Sequence, residues 1–206
     1  PLTIVHGYLQ SVLRRQHNLT ETQQEAIETA ASEAERTIRL LQDLLDLARA
    51  DSGYLQFRID SFILNDLVAE VVGMARQYSD RAIAIETETY PIVVKADYDR
   101  LKQVLLNLID NAIKYSEPDT SIQVTLDTQP ATAIIQVCDR GYGIPLQHQS
   151  RIFERFYRVD EARTRTTGGS GLGLPIVKTL VEGMGGSVTL RSKLGEGSVF
   201  TISLPV

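Results

Sequence analysis

The apolar positions of this chain change their period near residue 53. From Leu2 onward, Val5, Leu9, Val12 and Leu13 fall on one helical stripe. The segment HNLT, His17 to Thr20, interrupts it, and Thr20 followed by Gln23 has the form of a capping box opening a second helix. Over Glu21 to Ala50, the residues Ile27, Ala31, Ala34, Ile38, Leu41, Leu45 and Ala48 are spaced alternately by four and three, a heptad seam. Such a helix would be about 45 Å long. One hairpin of this kind buries little core of its own. The pattern therefore predicts pairing of two hairpins into a four-helix bundle; packing of the hairpin on its own domain is the alternative.

Asp51-Ser52-Gly53 ends the helix and divides the chain into residues 1–52 and 53–206. Beyond it, strands and helices alternate. Strands are expected at Tyr54–Asp60, Ala82–Thr87 and Pro91–Lys95, and helices at Leu64–Ser79, Asp97–Tyr115 and Leu174–Met184. Ser121–Asp127 with Ala133–Asp139 reads as one hairpin, and Gly186–Ser192 with Gly197–Leu204 as a closing one. Between Gly141 and Gly173 lies a polar stretch with an apolar patch only at Phe153 and Phe156. Strands that pair as hairpins yet alternate with helices predict an α+β chain: a helical hairpin, then an α/β sandwich whose sheet is covered by helices on one face.

Composition narrows the function classes. The 206 residues suit one large domain or an ordinary domain with a small attachment, and 43% hydrophobic with 23% charged residues excludes a wholly disordered chain. Twenty-one basic against 26 acidic residues give a net charge of −5, opposite to that of a duplex-coating protein, so no nucleic-acid partner is expected. The single cysteine, Cys138, cannot form an internal disulfide, which points to a reducing, cytoplasmic setting. Its strand alternation is expected to turn it inward. No apolar run is long enough to span a bilayer. A first residue of proline, with no signal peptide, reads as a cut from something longer. Any membrane link would come through an upstream sensor region.

Three segments carry chemistry. In NLIDNAIKYS, Asn107, Asn111 and Lys114 stand at i, i+4 and i+7 and share one helix face. Two carboxamides and an ammonium so aligned suit a polyphosphate with its magnesium ion, although a solvated face has the same pattern. In VCDRGYGIP, a strand ends at Asp139, followed by Gly141 and Gly143. The carboxylate can accept from an exocyclic amino group such as adenine's, and the glycines let backbone approach a flat ring; ordinary turns share this form. In GGSGLGLPIVKTL, Gly168, Gly169, Gly171 and Gly173 lead into a helix with Pro175 in its first turn. Such an entry aims N–H groups at an anion beside the positive helix end.

In their order and spacing these segments resemble the sensor histidine kinases of two-component systems, whose catalytic domain has the ATP-binding fold shared with DNA gyrase and the large heat-shock chaperones. Asn107–Lys114 resembles the N box, Asp139–Gly143 the first glycine box, Arg151–Thr164 the F box and Gly169–Leu174 the second glycine box. The resemblance implies ATP or ADP with Mg2+ as ligands. It implies Asn111 as magnesium ligand, Lys114 on phosphate, Asp139 on the adenine amino group and Tyr115 beside the adenine. It further implies Gly141 and Gly143 around the purine, Gly169, Gly171, Leu172 and Gly173 at the triphosphate, and Arg158 on a lid. Arg151, Arg155, Arg163 and Arg165 carry no such implication. ATPases of this fold place a glutamate where this chain has Asn107, and an amide cannot act as a general base, so transfer to a protein nucleophile is expected over hydrolysis.

In that family the acceptor histidine lies in a His-Glu-x-x-x-Pro-Leu pattern, and Pro1-Leu2-Thr3 is similar to its tail. The acceptor is thus expected a few residues before Pro1. His6 follows the proline and lacks the adjacent acid; His17 and His148 are expected at the surface without partners. The partners implied are a second copy of the chain and the receiver domain of a response regulator. A serine-directed kinase of the anti-sigma-factor type and a nucleotide-sensing pseudokinase are the alternatives.

Overall fold

The computed structural model describes residues 1–14, 19–87, 90–159 and 169–206. Of the residues singled out above, His17, Arg163, Arg165 and Gly168 lie outside that set, as does the end of the Arg151–Thr164 segment. The chain divides into two compact units, Pro1–Gly53 and Tyr54–Val206.

The first unit is a helical hairpin of α1 (Leu2–Arg14) and α2 (Glu21–Asp51). The capping box opens α2: the Gln23 amide donates to Thr20 Oγ1 at 3.3 Å, and the Thr20 amide donates to Gln23 Oε1 at 3.0 Å. Two orphan donors of the first turn are thereby satisfied. Where the helices meet, Leu9 and Leu13 of α1 and Ile27, Ala34 and Ile38 of α2 are half-buried, and Ala31 is buried. Ile4, Val5, Tyr8 and Val12 of α1, with Leu41 and Leu45 of α2, remain exposed. One hairpin therefore does not cover its own apolar surface.

The second unit is a two-layer sandwich. A five-stranded sheet runs in the order β2 (Ile83–Thr87), β4 (Ile122–Gln129), β5 (Thr132–Asp139), β7 (Gly197–Pro205), β6 (Ser187–Lys193). Only β2 and β4 are parallel; the other neighbours are antiparallel. A separate antiparallel pair joins β1 (Asp60–Ile63) to β3 (Val93–Ala96). Helices α3 (Leu64–Tyr78), α4 (Tyr98–Tyr115) and α6 (Gly173–Gly183) cover one face. A single turn of helix, α5 (Leu146–Gln149), follows the loop after β5.

The core follows from the two periods. Leu67, Val68, Val71 and Val72 of α3, Leu101, Val104, Leu105 and Leu108 of α4, and Ile176, Val177 and Leu180 of α6 are buried. They meet the alternate positions Val124, Ile135, Val137, Phe200 and Ile202 of the sheet. The opposite sheet face is polar: Thr125 donates to Gln136 Oε1 at 3.3 Å, and Gln136 Nε2 donates to Thr201 Oγ1 at 3.2 Å. Among the described residues no helix is long and apolar enough to cross a membrane.

Two expectations are corrected. Cys138 points outward onto the polar sheet face, because its neighbour Val137 takes the helix side and side chains alternate. Its thiol pKa is raised, first by partial burial and then by the nearby Asp139 charge. Tyr54–Asp60 is not a strand; pairing begins at Asp60. Side-chain and cap contacts hold that stretch instead. The Arg58 amide donates to Asp97 Oδ2 at 2.8 Å, while Oδ1 of the same carboxylate caps α4 by accepting from the Arg100 amide at 3.1 Å. The Phe57 ring lies where a methyl group on Gly183 would stand, 2.2 Å away.

Candidate nucleotide site

Helix α4 builds one wall. Burial of Leu101, Val104, Leu105, Leu108, Ile109 and Ala112 on the sheet turns Asn107, Asn111 and Lys114 to the opposite face. The Asn107 carboxamide faces the start of α6: a methyl group on Gly173 would stand 3.9 Å from its oxygen. Its Nδ2 is buried and has no hydrogen-bond partner among the described residues. A buried donor without a partner is rare and costs stability unless water or a ligand takes it up.

The loop after β5 docks against the end of α4. The Tyr142 amide donates to the Tyr115 carbonyl at 3.0 Å, and Ser116 and Gly141 pair as an isolated antiparallel bridge. The approach leaves no room for a side chain, since a methyl group on Gly141 would stand 2.0 Å from the Tyr115 carbonyl oxygen. Asp139 ends β5 with its Oδ1 accepting from the Gly141 amide at 2.9 Å. Burial pushes its pKa up, and the backbone N–H groups of Gly141 and Ser198 oppose that rise. Behind it, Ser192 Oγ accepts from the Ile144 amide at 2.8 Å and approaches Ser198 Oγ at 3.0 Å. Gln149 Nε2 donates to the carbonyls of Ile144 and Ser192. Gly143 adopts a φ of 66°, and a methyl group there would stand 2.0 Å from the Lys193 carbonyl oxygen.

The glycine-rich segment before α6 forms the opposite wall. Gly171, at φ 72°, accepts through its carbonyl from the Phe156 amide at 2.9 Å. Phe156 itself sits at φ 61° with its ring exposed, a conformation costing about 1–3 kcal/mol for a residue with a side chain. A methyl group on Gly169 would stand 3.3 Å from the Tyr115 hydroxyl. The Tyr115 phenol, 38% exposed, has its pKa raised by burial and lowered by the positive charge of Arg158. Tyr115, Arg158 and Gly169 thus come together. Leu172 is fully buried and anchors the segment, and among the described residues α6 starts without a side-chain cap.

The fold therefore gathers three segments distant in sequence around the end of α4. Lys114 lies exposed at the rim and Asn111 half-buried beside it. Arg151 is engaged elsewhere, paired with Glu154 at 3.2 Å and stacked 4.2 Å above the Tyr157 ring. His148, expected to have no partner, has its Nδ1 2.5 Å from the Tyr157 hydroxyl. Sequence reasoning missed Ser192, Ser198 and Gln149. Each is an ordinary polar residue whose relation to Asp139 exists only through the antiparallel closure of the sheet.

The sequence model of the histidine kinase-, DNA gyrase B-, and HSP90-like ATPases matches residues 96–206. Residues 1–53 match the His Kinase A (phospho-acceptor) domain. The chain is 39% identical over 202 residues to the sensor histidine kinase YkoH of Bacillus subtilis, covering 98% of this chain and 44% of that protein. It is 36% identical over 207 residues to the sensor protein SrrB of Staphylococcus aureus, covering all of this chain and 36% of that one. The chain thus spans less than half the length of these curated relatives. Full-length ShkA, solved in complex with AMPPNP, superposes with a TM-score of 0.77 at 25% identity, covering 99% of this chain and 45% of that one. The chain belongs to the sensor histidine kinases, within the histidine kinase-, DNA gyrase B-, and HSP90-like ATPase family.

Proposed function

We propose that residues 54–206 bind Mg-ATP and pass its γ-phosphoryl group to a histidine, from which a response-regulator aspartate takes it. The observation that supports this most is the convergence on α4 of the half-buried Asp139, the Asn107 Nδ2 that has no partner among the described residues, and the segment before α6. Asp139 accepts from the adenine amino group, with Gly141 and Gly143 leaving space for the ring. Tyr115 flanks the adenine. Lys114 and Arg158 neutralise phosphate charge, and the segment of Gly169, Gly171, Leu172 and Gly173 brings the start of α6 to the phosphate oxygens.

The donor set also fits magnesium. Among the described residues no three His, Cys, Asp or Glu side chains cluster to hold a metal. A carboxamide oxygen from Asn111 together with phosphate oxygens and water would give magnesium an all-oxygen ligand set of the hard kind it takes. When bound, it would offset the negative charge of the β- and γ-phosphates. Asn107 lies beside Gly173 and has an amide that cannot deprotonate water. It instead orients phosphate or the incoming acceptor. The acceptor imidazole nitrogen attacks the γ-phosphorus as the bond to the ADP oxygen breaks.

The exposed Val5, Tyr8, Val12, Leu41 and Leu45 favour a homodimer through the hairpin. The His Kinase A match of residues 1–53 favours histidine over serine as the acceptor class. The acceptor is not His6, which stands after Pro1-Leu2-Thr3 and has no adjacent acid. Incubated with γ-labelled ATP, this chain is expected to retain no acid-labile phosphate. It should, however, phosphorylate a longer form carrying the His-Glu-x-x-x-Pro-Leu segment. Stable phosphohistidine mapped to His6, or phosphoserine on an added protein, would refute that assignment. For the metal, Asn111→Ala is expected to remove the magnesium-dependent part of ATP affinity, about tenfold or more, in titration calorimetry with and without magnesium.

A further inference from the structure

The end of α4 needs an explanation of its own. It has no glycine cap: Ser116, the residue after the helix, is extended at φ −114° and ψ 156°. The carbonyls released there would lack partners. They are taken up from three directions. The Ser116 hydroxyl donates to the Ala112 carbonyl at 2.6 Å, and the Tyr142 amide donates to the Tyr115 carbonyl at 3.0 Å. The third direction is Arg81, in the loop between α3 and β2. Its Nη2 donates to the carbonyls of Ile113 at 3.1 Å and Ser116 at 2.6 Å, and its Nη1 donates to the carbonyl of Glu117.

One guanidinium therefore straps three carbonyls across the turn that carries Lys114 and Tyr115. A planar fork of donors can do this where an ammonium on a flexible stem cannot. Its positive charge also stands at the negative end of the helix dipole. The strap is itself held in place, with the Arg81 amide donating to Ser79 Oγ at 3.3 Å and the next residue joining the sheet through the Ile122 amide, which donates to the Ala82 carbonyl at 2.9 Å. On its other side the strapped turn supports the Ser116–Gly141 bridge and the Tyr142 bond, and these hold the loop that follows Asp139.

We infer that Arg81 is a positioning residue of the nucleotide site: by gathering the carbonyls at the end of α4, it fixes the turn on which the Asp139–Gly143 loop and the Tyr115 ring depend. It lies outside the residues matching the ATPase family and carries none of the motifs. The inference rests on the nucleotide reading above and adds a residue to it, on the far side of the helix end from Asp139.

The test uses the full chain and four variants, Arg81→Ala, Arg81→Lys, Arg76→Ala and Asp139→Asn. Two readouts are needed: ADP affinity by calorimetry and amide hydrogen exchange resolved at Tyr142. Arg81→Ala is expected to weaken ADP binding about tenfold and to speed Tyr142 exchange about tenfold, with Ile135 in the central strand unaffected. Arg81→Lys should recover only part of either effect. Arg76→Ala removes another arginine–carbonyl contact of this unit, to Ile83, and should leave both readouts near the parent values. ADP affinity and Tyr142 exchange both unchanged in Arg81→Ala would overturn the inference, as would a loss of affinity matched by Arg76→Ala. The nucleotide reading fails separately: if Asp139→Asn binds ADP as tightly as the parent chain, that reading falls whatever Arg81→Ala does. If Arg81→Ala does not fold, Arg81→Lys at parent affinity and exchange rate overturns the inference alone.

Discussion

Replacing Asp139 by asparagine is expected to weaken ATP and ADP binding by about tenfold to two-hundredfold while leaving the fold intact, because a hydrogen bond to a charged group contributes about 1.5–3 kcal/mol. The side chain keeps its size, and an amide oxygen can still accept from the Gly141 amide at the position Oδ1 now holds. What is lost is the second acceptor: an asparagine offers an NH2 group where the adenine amino group needs an oxygen, so two donors face each other. Calorimetry with ATP, with GTP as a comparison, measures the effect; an unchanged preference for ATP would remove Asp139 from the site.

The same carboxylate sets a pH dependence whose sign is determined. Burial raises the folded-state pKa of Asp139. A raised carboxylate pKa stabilises the fold at low pH and costs stability as pH rises through the folded value. At neutral pH the ionised group is thus a small burden on the fold, and Asp139→Asn should be neutral or slightly stabilising there. Nucleotide binding runs the other way, since only the ionised form accepts through both oxygens. ATP affinity should fall on acidification, beginning above the range in which an exposed aspartate titrates, and that fall should be absent in Asp139→Asn.

A large effect on stability is expected at Gly141. A methyl group there would stand 2.0 Å from the Tyr115 carbonyl oxygen and 2.8 Å from Asp139 Oδ1. Neither neighbour can yield cheaply. The Tyr115 carbonyl is fixed by the Tyr142 amide, and Asp139 accepts from the Gly141 amide itself. Gly141→Ala should therefore break the bridge to Ser116 and cost about 3 kcal/mol or more, measured by chemical denaturation. Gly143→Ala and Gly197→Ala should behave alike, because each has a positive φ and a carbonyl oxygen 2.0 Å from the added methyl group. Gly73 lies inside α3 with nothing within 4 Å of such a group. Gly73→Ala should instead stabilise by about 0.5–1 kcal/mol through helix propensity. A mild effect at Gly141 would mean that the end of α4 and the loop are not held as tightly as their contacts indicate.

These two sites show which parts of the molecule could be read along the chain. The covering helices were legible because Leu101, Val104, Leu105 and Leu108 recur at helical spacing, and the inner strands because Ile122, Val124 and Ile202 alternate with polar neighbours. The capping box of Thr20 and Gln23 was legible because both partners lie within one turn. Asn107, Asn111 and Lys114 could be placed on one face for the same reason.

Other features had no local signature. Tyr54–Ile59 has the apolar content of a strand, yet Phe57 finds Gly183 and the Arg58 amide finds Asp97, partners from helices far along the chain. Cys138 alternates as a strand residue should, but alternation does not say which face the helices cover. Ser192, Ser198 and Arg81 reach the site only because β6, β7 and the loop after α3 are brought to it. The sequence by itself determined the elements, their apolar faces and the chemical groups of the site, since these depend on contacts within a few residues. Tertiary structure alone decided which backbone passes within van der Waals distance of which, and so why Gly141, Gly143 and Gly197 must lack side chains and why Arg81 holds the end of α4. Those crossings depend on the closure of the whole sheet, which no local spacing encodes.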